Sequence, residues 1–207
     1  NRLMTSNLIL YNGPTSPFGR KCKIAANILQ IPHEEKIINV YKSDFLDDFN
    51  PLRQIPTLVA NDQVIADSNN ICLYFDNISL KNPLYPSDRY WDCLSFINVA
   101  NGIMENGVNR FIEISAIEKK DQREKTVSRY EKKITRSIEW IEKNFQKINL
   151  EFLSMDLISI ACALDYTNFR YSDDWKKNNP NLKKWFDQIS EKEFMKASHP
   201  GVSFKYE

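Results

Sequence analysis

Every stretch of strand character in this 207-residue chain lies before residue 67, and everything after Pro86 carries helical periodicity. That asymmetry restricts the fold to a mixed α/β unit followed by an all-helical one. In the first part, Leu8–Asn12 is an apolar run of strand length. Residues 17–29 read as a helix with Ile24, Ala25, Ile28 and Leu29 on or beside one face and Arg20, Lys21, Lys23 and Asn27 elsewhere. Residues 35–40 make a second strand, and 57–60 and 63–66 pair as a hairpin across Asn61-Asp62. A helix over 68–78 completes a β-α-β, hairpin, α order. Two prolines in Lys81–Asp88 mark a linker, giving an α/β domain over 4–81, a linker over 82–88 and an all-α domain over 89–207. The second domain reads as helices over 90–117, 122–148, 154–171, 181–190 and 191–197. In the helix over 122–148 an apolar stripe runs Val127, Tyr130, Ile134, Ile138, Ile141, Phe145 and Ile148, and Lys132, Lys133, Arg136, Glu142 and Lys143 form its solvated faces.

Composition narrows the partners. A formal net charge of +1, from 28 Lys and Arg against 27 Asp and Glu, gives no global field for nucleic acid or an anionic membrane. No apolar run reaches the roughly 20 residues of a membrane span, and no basic region precedes an apolar stretch at the N-terminus, so the expectation is a cytoplasmic protein. Cys22, Cys72, Cys93 and Cys162 form no CxxC pair and all fall in helical segments, which reads as buried free thiols with no metal site.

Two places have the chemistry of an anion site. Ser16 precedes Pro17 at a helix start, a good N-cap before a proline at the first helical position. A sulfur placed there feels the positive helix end and the hydroxyl together, both of which favour thiolate. Asp67-Ser68 stands where a strand gives way to a helix. Ser68 and the free N–H groups there suit a carboxylate, Asp67 suits an ammonium, and the pair can hold the zwitterionic end of an amino acid. Ser68 as a simple N-cap beside a surface Asp is the plainer reading of the same pair. Ile55-Pro56 opens a strand where a missing N–H is tolerated. Thr15, Asn12 and Tyr11 lie close enough in sequence to compete with Ser16, and Tyr11 reads as packing.

Four segments, "LYNGPTSPFGRKCKIAA" (10–26), "NPLRQIPTLVANDQVIADSNNICLYF" (50–75), "SMDLISIACALDYTNFR" (154–170) and "NLKKWFDQISEKEFMKASHP" (181–200), together resemble the glutathione S-transferase family, especially bacterial members with a Thr-Ser-Pro-Phe-x-Arg-Lys pattern. The resemblance implies a thioredoxin-like N-terminal domain, a helical C-terminal domain and a homodimer. It implies glutathione as co-substrate, conjugated to a small electrophile. Ser16 would stabilise the thiolate, Pro56 would be cis with Ile55 pairing to the cysteinyl part, and Asp67 and Ser68 would hold the γ-glutamyl group. Gln54, Arg53 or Lys42 would meet the glycine carboxylate. Asn12, Met104 and Phe111 would line a second-substrate pocket between the domains, in a segment where Gly102 and Gly107 leave room or allow close helix approach. A non-catalytic glutathione-binding or regulatory protein of the same fold is the alternative, and a glutathione-dependent thiol reductase is disfavoured by serine at the nucleophile position. One departure from the family pattern stands out: Ser154 keeps the cap of the late helix, but the acid sits at Asp156 rather than three residues on, where Leu157 stands. That predicts a weaker local fold signal.

Overall fold

The computed structural model describes residues 7–115 and 118–202. Residues 4–6 of the expected first domain, the last two residues of the helix read over 90–117, and 203–207 lie outside the described residues. The chain forms two compact units that meet in sequence at Leu84 and Tyr85, and the segment from Glu193 joins the first of them.

In the first unit the strands β1 (Leu8–Asn12), β2 (Glu34–Ile37), β3 (Thr57–Ala60) and β4 (Gln63–Ala66) make one sheet in the order β2-β1-β3-β4. β1 pairs parallel with β2, Ile9 opposite Glu34, and antiparallel with β3, Tyr11 opposite Thr57. The β3–β4 hairpin turns on Asn61, whose positive φ of 56° is the backbone such a two-residue link needs. Because side chains alternate along a strand, Leu8, Leu10 and Leu58 face one way and Ile9, Tyr11 and Val59 the other. Against the second face pack Ile38, Leu46, Phe49 and Ile55, and Tyr11 stacks on Phe49 with ring centroids 5.9 Å apart. The helices α1 (Pro17–Ile28) and α2 (Ser68–Ile78) pack together, with α2 against β3 and β4. β2 is shorter than the expected 35–40, because Asn39 accepts a bond from the Tyr41 N–H and turns the chain into a tight helical turn at Val40–Lys42.

Two cations that lie off the apolar face of α1 are buried. Arg20 donates to the Met195 carbonyl at 2.8 Å and to the Ser198 hydroxyl at 3.0 Å, tying the short helix over Glu193–Ala197 to α1. Lys21 is fully buried and donates to the Asn69 side-chain oxygen on α2. Each finds an oxygen partner, which is the condition for burying a charge.

The second unit is built from α3 (Tyr90–Ser115), α4 (Glu124–Asn144), α5 (Met155–Arg170) and α6 (Pro180–Ile189), with the Glu193–Ala197 helix, α7, belonging to the first unit. α3 packs on both α4 and α5, and α6 on α4 and α5. The α4 stripe is buried at Ile134, Ile138 and Ile141 and continues past the helix end through Phe145 and Ile148. Gly107 lets α3 approach α5, since a Cβ there would come 3.1 Å from the Tyr166 ring, whereas Gly102 faces open space. Glu142, read from sequence as solvated, caps α6: its carboxylate accepts from the N–H groups of Asn181 at 3.0 Å and Leu182 at 2.8 Å.

The displaced acid of α5 turns out to be a strong anchor. Asp156 is wholly buried and takes a bidentate contact from Arg89, with Nη1 at 2.6 Å and Nη2 at 3.2 Å, while accepting from the Ser154 hydroxyl and the Leu157 N–H. Arg89 also reaches the Ser154 hydroxyl at 3.0 Å. The Ser154 side chain makes no cap bond to the backbone, and the start of α5 is secured instead by Arg89, 67 residues away in the chain. Removing one partner strands the other: Asp156→Ala should lower unfolding free energy by about 3 to 5 kcal/mol in urea denaturation, and a loss under about 1 kcal/mol would show that the anchor is dispensable.

Candidate functional site

The turn between β1 and α1 carries the first expected site. Ser16 is the N-cap of α1 with extended backbone (φ −66°, ψ 119°), Pro17 follows at the first helical position, and the Ser16 oxygen accepts from the Gly19 N–H at 3.1 Å. Accepting that bond uses one lone pair and leaves the hydroxyl hydrogen unspent, so capping and donation to an anion are compatible at one residue. Ser16 and Thr15 are both half-buried. Tyr11 is 9% exposed and its ring is packed against Phe45 and Phe49, as the sequence suggested. Asn12 is 3% exposed, its oxygen accepting from the Gly13 N–H at 2.8 Å and its amide donating to Glu35 at 3.2 Å.

At the start of α2 the roles differ from those read in sequence. Asp67, not Ser68, is the N-cap, its Oδ1 accepting from the Asn69 N–H at 2.8 Å. Asp67 is exposed and has φ 71°, ψ 129°, a conformation that costs a non-glycine residue energy and that clusters at binding sites. Ser68 is the first helical residue, and its hydroxyl has no hydrogen-bond partner among the described residues. A spare hydroxyl, a second carboxylate oxygen and the unpaired N–H groups of a helix start therefore converge on one helix end.

The Ile55-Pro56 bond is cis. Behind it, the Gln54 carbonyl accepts from the Thr57 hydroxyl at 2.7 Å and from Asn50 at 3.3 Å, which leaves the exposed Gln54 side chain uncommitted. Arg53 is spent locally: its guanidinium holds Asp47 and Asp44, and these carboxylates push its pKa up while it holds the Asp47 pKa down. Lys42 is exposed and has no partner among the described residues.

In the second unit Met104 is fully buried in the face of α3 that packs into the core. Phe111 is half-buried under the Arg170 guanidinium, whose carbon lies 4.0 Å from the ring centre. The stacked Arg170 is a feature sequence reading missed, for nothing in the spacing of α5 singles it out.

All four cysteines are buried and outside any disulfide. The sulfurs of Cys22 and Cys72 lie 3.7 Å apart between α1 and α2, and burial pushes the Cys22 thiol well up. Burial and the Asp156 carboxylate push Cys93 up to about 12. Among the described residues no group of three or more His, Cys, Asp or Glu side chains could hold a metal, and no helix is long and apolar enough to cross a membrane.

A four-stranded thioredoxin-like sheet unit with two helix-start sites beside a cis-proline, joined in one chain to a helical unit, is the fold of a glutathione transferase. Residues 10–83 match the glutathione S-transferase N-terminal domain. The uncharacterized GST-like protein YibF of Escherichia coli is 30% identical over 90% of this chain and 95% of its own length. A glutathione S-transferase of wheat is 33% identical, over only 42% of this chain and 40% of its own. Among solved structures, a Pseudomonas fluorescens Pf-5 glutathione transferase family member with bound glutathione superposes with a TM-score of 0.86 at 30% identity, covering 95% of this chain and all of that one. The chain belongs to the glutathione S-transferase family.

Since each thiol is buried, none is open to a bulky reagent in the folded protein. A bulky aromatic disulfide reagent should modify none of the four cysteines in the native protein and all four after denaturation. Rapid labelling of any one in the native state would contradict this placement.

Proposed function

We propose that the protein is a glutathione transferase that conjugates the glutathione thiolate to a small electrophile, working as a cytoplasmic homodimer. The observation that carries this reading is the double capacity of Ser16, which caps α1 with a lone pair and keeps its hydroxyl hydrogen for a thiolate at the positive end of the helix. Thr15 lacks the cap geometry and is the second candidate. The γ-glutamyl group is assigned to Asp67 and Ser68: the free Asp67 oxygen meets the ammonium, and the Ser68 hydroxyl with the first N–H groups of α2 meets the carboxylate. Ile55, before cis-Pro56, is assigned to the cysteinyl part. With Arg53 neutralised by two aspartates, the glycine carboxylate falls to Gln54 or Lys42. Phe111 is assigned to the second substrate. A Pseudomonas fluorescens relative, 28% identical with a TM-score of 0.84, is solved with S-(propanoic acid)-glutathione, so thioethers of short aliphatic acids are the first products to test.

Two substitutions test the assignment. Ser68→Ala removes a charge-assisted hydrogen bond and should weaken glutathione binding by about 1.5 to 3 kcal/mol, roughly one to two decades in Kd, by calorimetry. Unchanged affinity would take Ser68 out of the site. Ser16→Ala should raise the pKa of the bound thiol by roughly 1 to 2. Below that pKa less thiolate is present, so the rate deficit is largest at low pH. It shrinks as pH rises, because the mutant thiolate, once formed, is the more basic nucleophile. The pH-rate profile should therefore move to higher pH rather than fall uniformly. An unaltered thiolate absorbance titration would reduce Ser16 to a helix cap and point to Thr15.

A further inference from the structure

The turn that presents Ser16 is held from below by a chain of polar contacts ending at a carboxylate. Asn12, the last residue of β1, lies under the turn with its oxygen on the Gly13 N–H at 2.8 Å and its amide on Glu35 Oε2 at 3.2 Å. Glu35, on β2, is held through its other oxygen by Lys23 of α1 at 2.9 Å. A carboxylate only accepts, so Glu35 compels the Asn12 amide to turn its NH2 toward β2 and its oxygen toward the turn. The reverse orientation would set oxygen against carboxylate and NH2 against the Gly13 N–H.

That oxygen also lies against the first turn of α1. A Cβ at Gly19 would collide with the Asn12 side-chain oxygen, and the three nearest heavy atoms to that Cβ all belong to Asn12. Gly19 is the residue whose N–H the Ser16 oxygen accepts at 3.1 Å. On the far side of the turn, a Cβ at Gly13 would collide with Ile55, the residue before cis-Pro56. The turn thus lies between the Asn12 amide, whose whole head stands in the way of a Cβ at Gly19, and the Ile55 side chain, of which only the terminal methyl stands in the way at Gly13.

We propose that Asn12, oriented by the Glu35–Lys23 pair, is the positioning residue for Ser16: it sets the height of Gly19 and through that N–H the direction in which the Ser16 hydroxyl donates. This rests on the thiolate role of Ser16. Asn12 touches no substrate in this scheme, which reassigns it from the second-substrate pocket to the support of the turn. A displaced hydroxyl donates poorly to a thiolate, and a misplacement of about 1 Å at a catalytic group is costly.

The test titrates the thiolate absorbance of glutathione bound to the protein, alongside melting temperature and the KM for glutathione. Asn12→Ala should raise the bound thiol's pKa by roughly 0.5 to 1, less than Ser16→Ala, and change the KM for glutathione by less than about twofold, because that affinity is set at Asp67 and Ser68. Glu35→Leu should follow Asn12→Ala, and Glu35→Gln, which keeps an acceptor for the amide, should shift the titration less than Glu35→Leu does. Gly19→Ala pushes the amide aside and should raise the thiol pKa by itself. In the Asn12→Ala background the added methyl finds space, so the double variant should titrate no higher than Asn12→Ala alone, a non-additivity that marks a shared cause. A lowered melting temperature with an unmoved titration in Asn12→Ala, or additive effects in the double variant, would overturn the inference. Ser16→Ala run in parallel separates the two claims. If it shifts the titration and Asn12→Ala does not, only the positioning role falls. If neither does, the thiolate role of Ser16 falls with it. Should Asn12→Ala not fold, Glu35→Leu and Gly19→Ala carry the same decision.

Discussion

The pairing of β1 on both edges is the constraint from which the rest of the first unit follows. Hydrogen-bonded to β2 on one side and β3 on the other, β1 has no freedom of register, and both its faces are buried, Leu8 and Leu10 on one and Tyr11 against Ile38, Leu46 and Phe49 on the other. Everything that leaves its C-terminal end is therefore delivered to a fixed place. Asn12 closes the strand, Gly13 passes Ile55, and Ser16 opens α1 within a few residues of the sheet. A loop of that shortness transmits the rigidity of the sheet to the residue at its tip, which is how loops acquire catalytic precision from a scaffold.

Buried charge does the corresponding work elsewhere. Arg20 fastens the Glu193–Ala197 helix to α1, Lys21 fastens α1 to the start of α2 at Asn69, and Arg89 with Asp156 and Ser154 fastens the start of α3 to the start of α5. In each case a long side chain spans two elements and every desolvated charge has an oxygen or nitrogen partner, the condition under which such groups are tolerated inside a protein. Because Lys21 reaches Asn69 beside Asp67 and Ser68, one α1 residue links the two helix starts assigned to glutathione. The starts of α1 and α2 are thus tied to each other within the first unit.

Much of this architecture was legible in the sequence. The confinement of strand character to the first 66 residues, the Ser-Pro start of α1, the two-residue hairpin at Asn61-Asp62 and the α4 stripe all rest on local periodicity and turn chemistry, and each element stands within a few residues of where those signals placed it. Local signals sufficed because the residues involved act on their own backbone or on neighbours three and four positions away. Ser16 was found for the same reason: an N-cap is a contact over three residues.

What the tertiary structure alone decided is every contact that joins residues far apart in the chain. The sequence placed Arg20 and Lys21 off the apolar face of α1 and Glu142 on a solvated face; the fold buried the first two and turned the third onto the start of α6. The amide of Asn12 meets Glu35 because β1 and β2 are parallel neighbours, and Gly19 is bare because that amide lies beneath it. Residue types and their local order determined which helices and strands form and where a thiolate could be held. Which charges are desolvated, and which polar group stands behind the Ser16 turn, depends on partners 23 to 178 positions away, and no property of a residue's own neighbourhood encodes those distances.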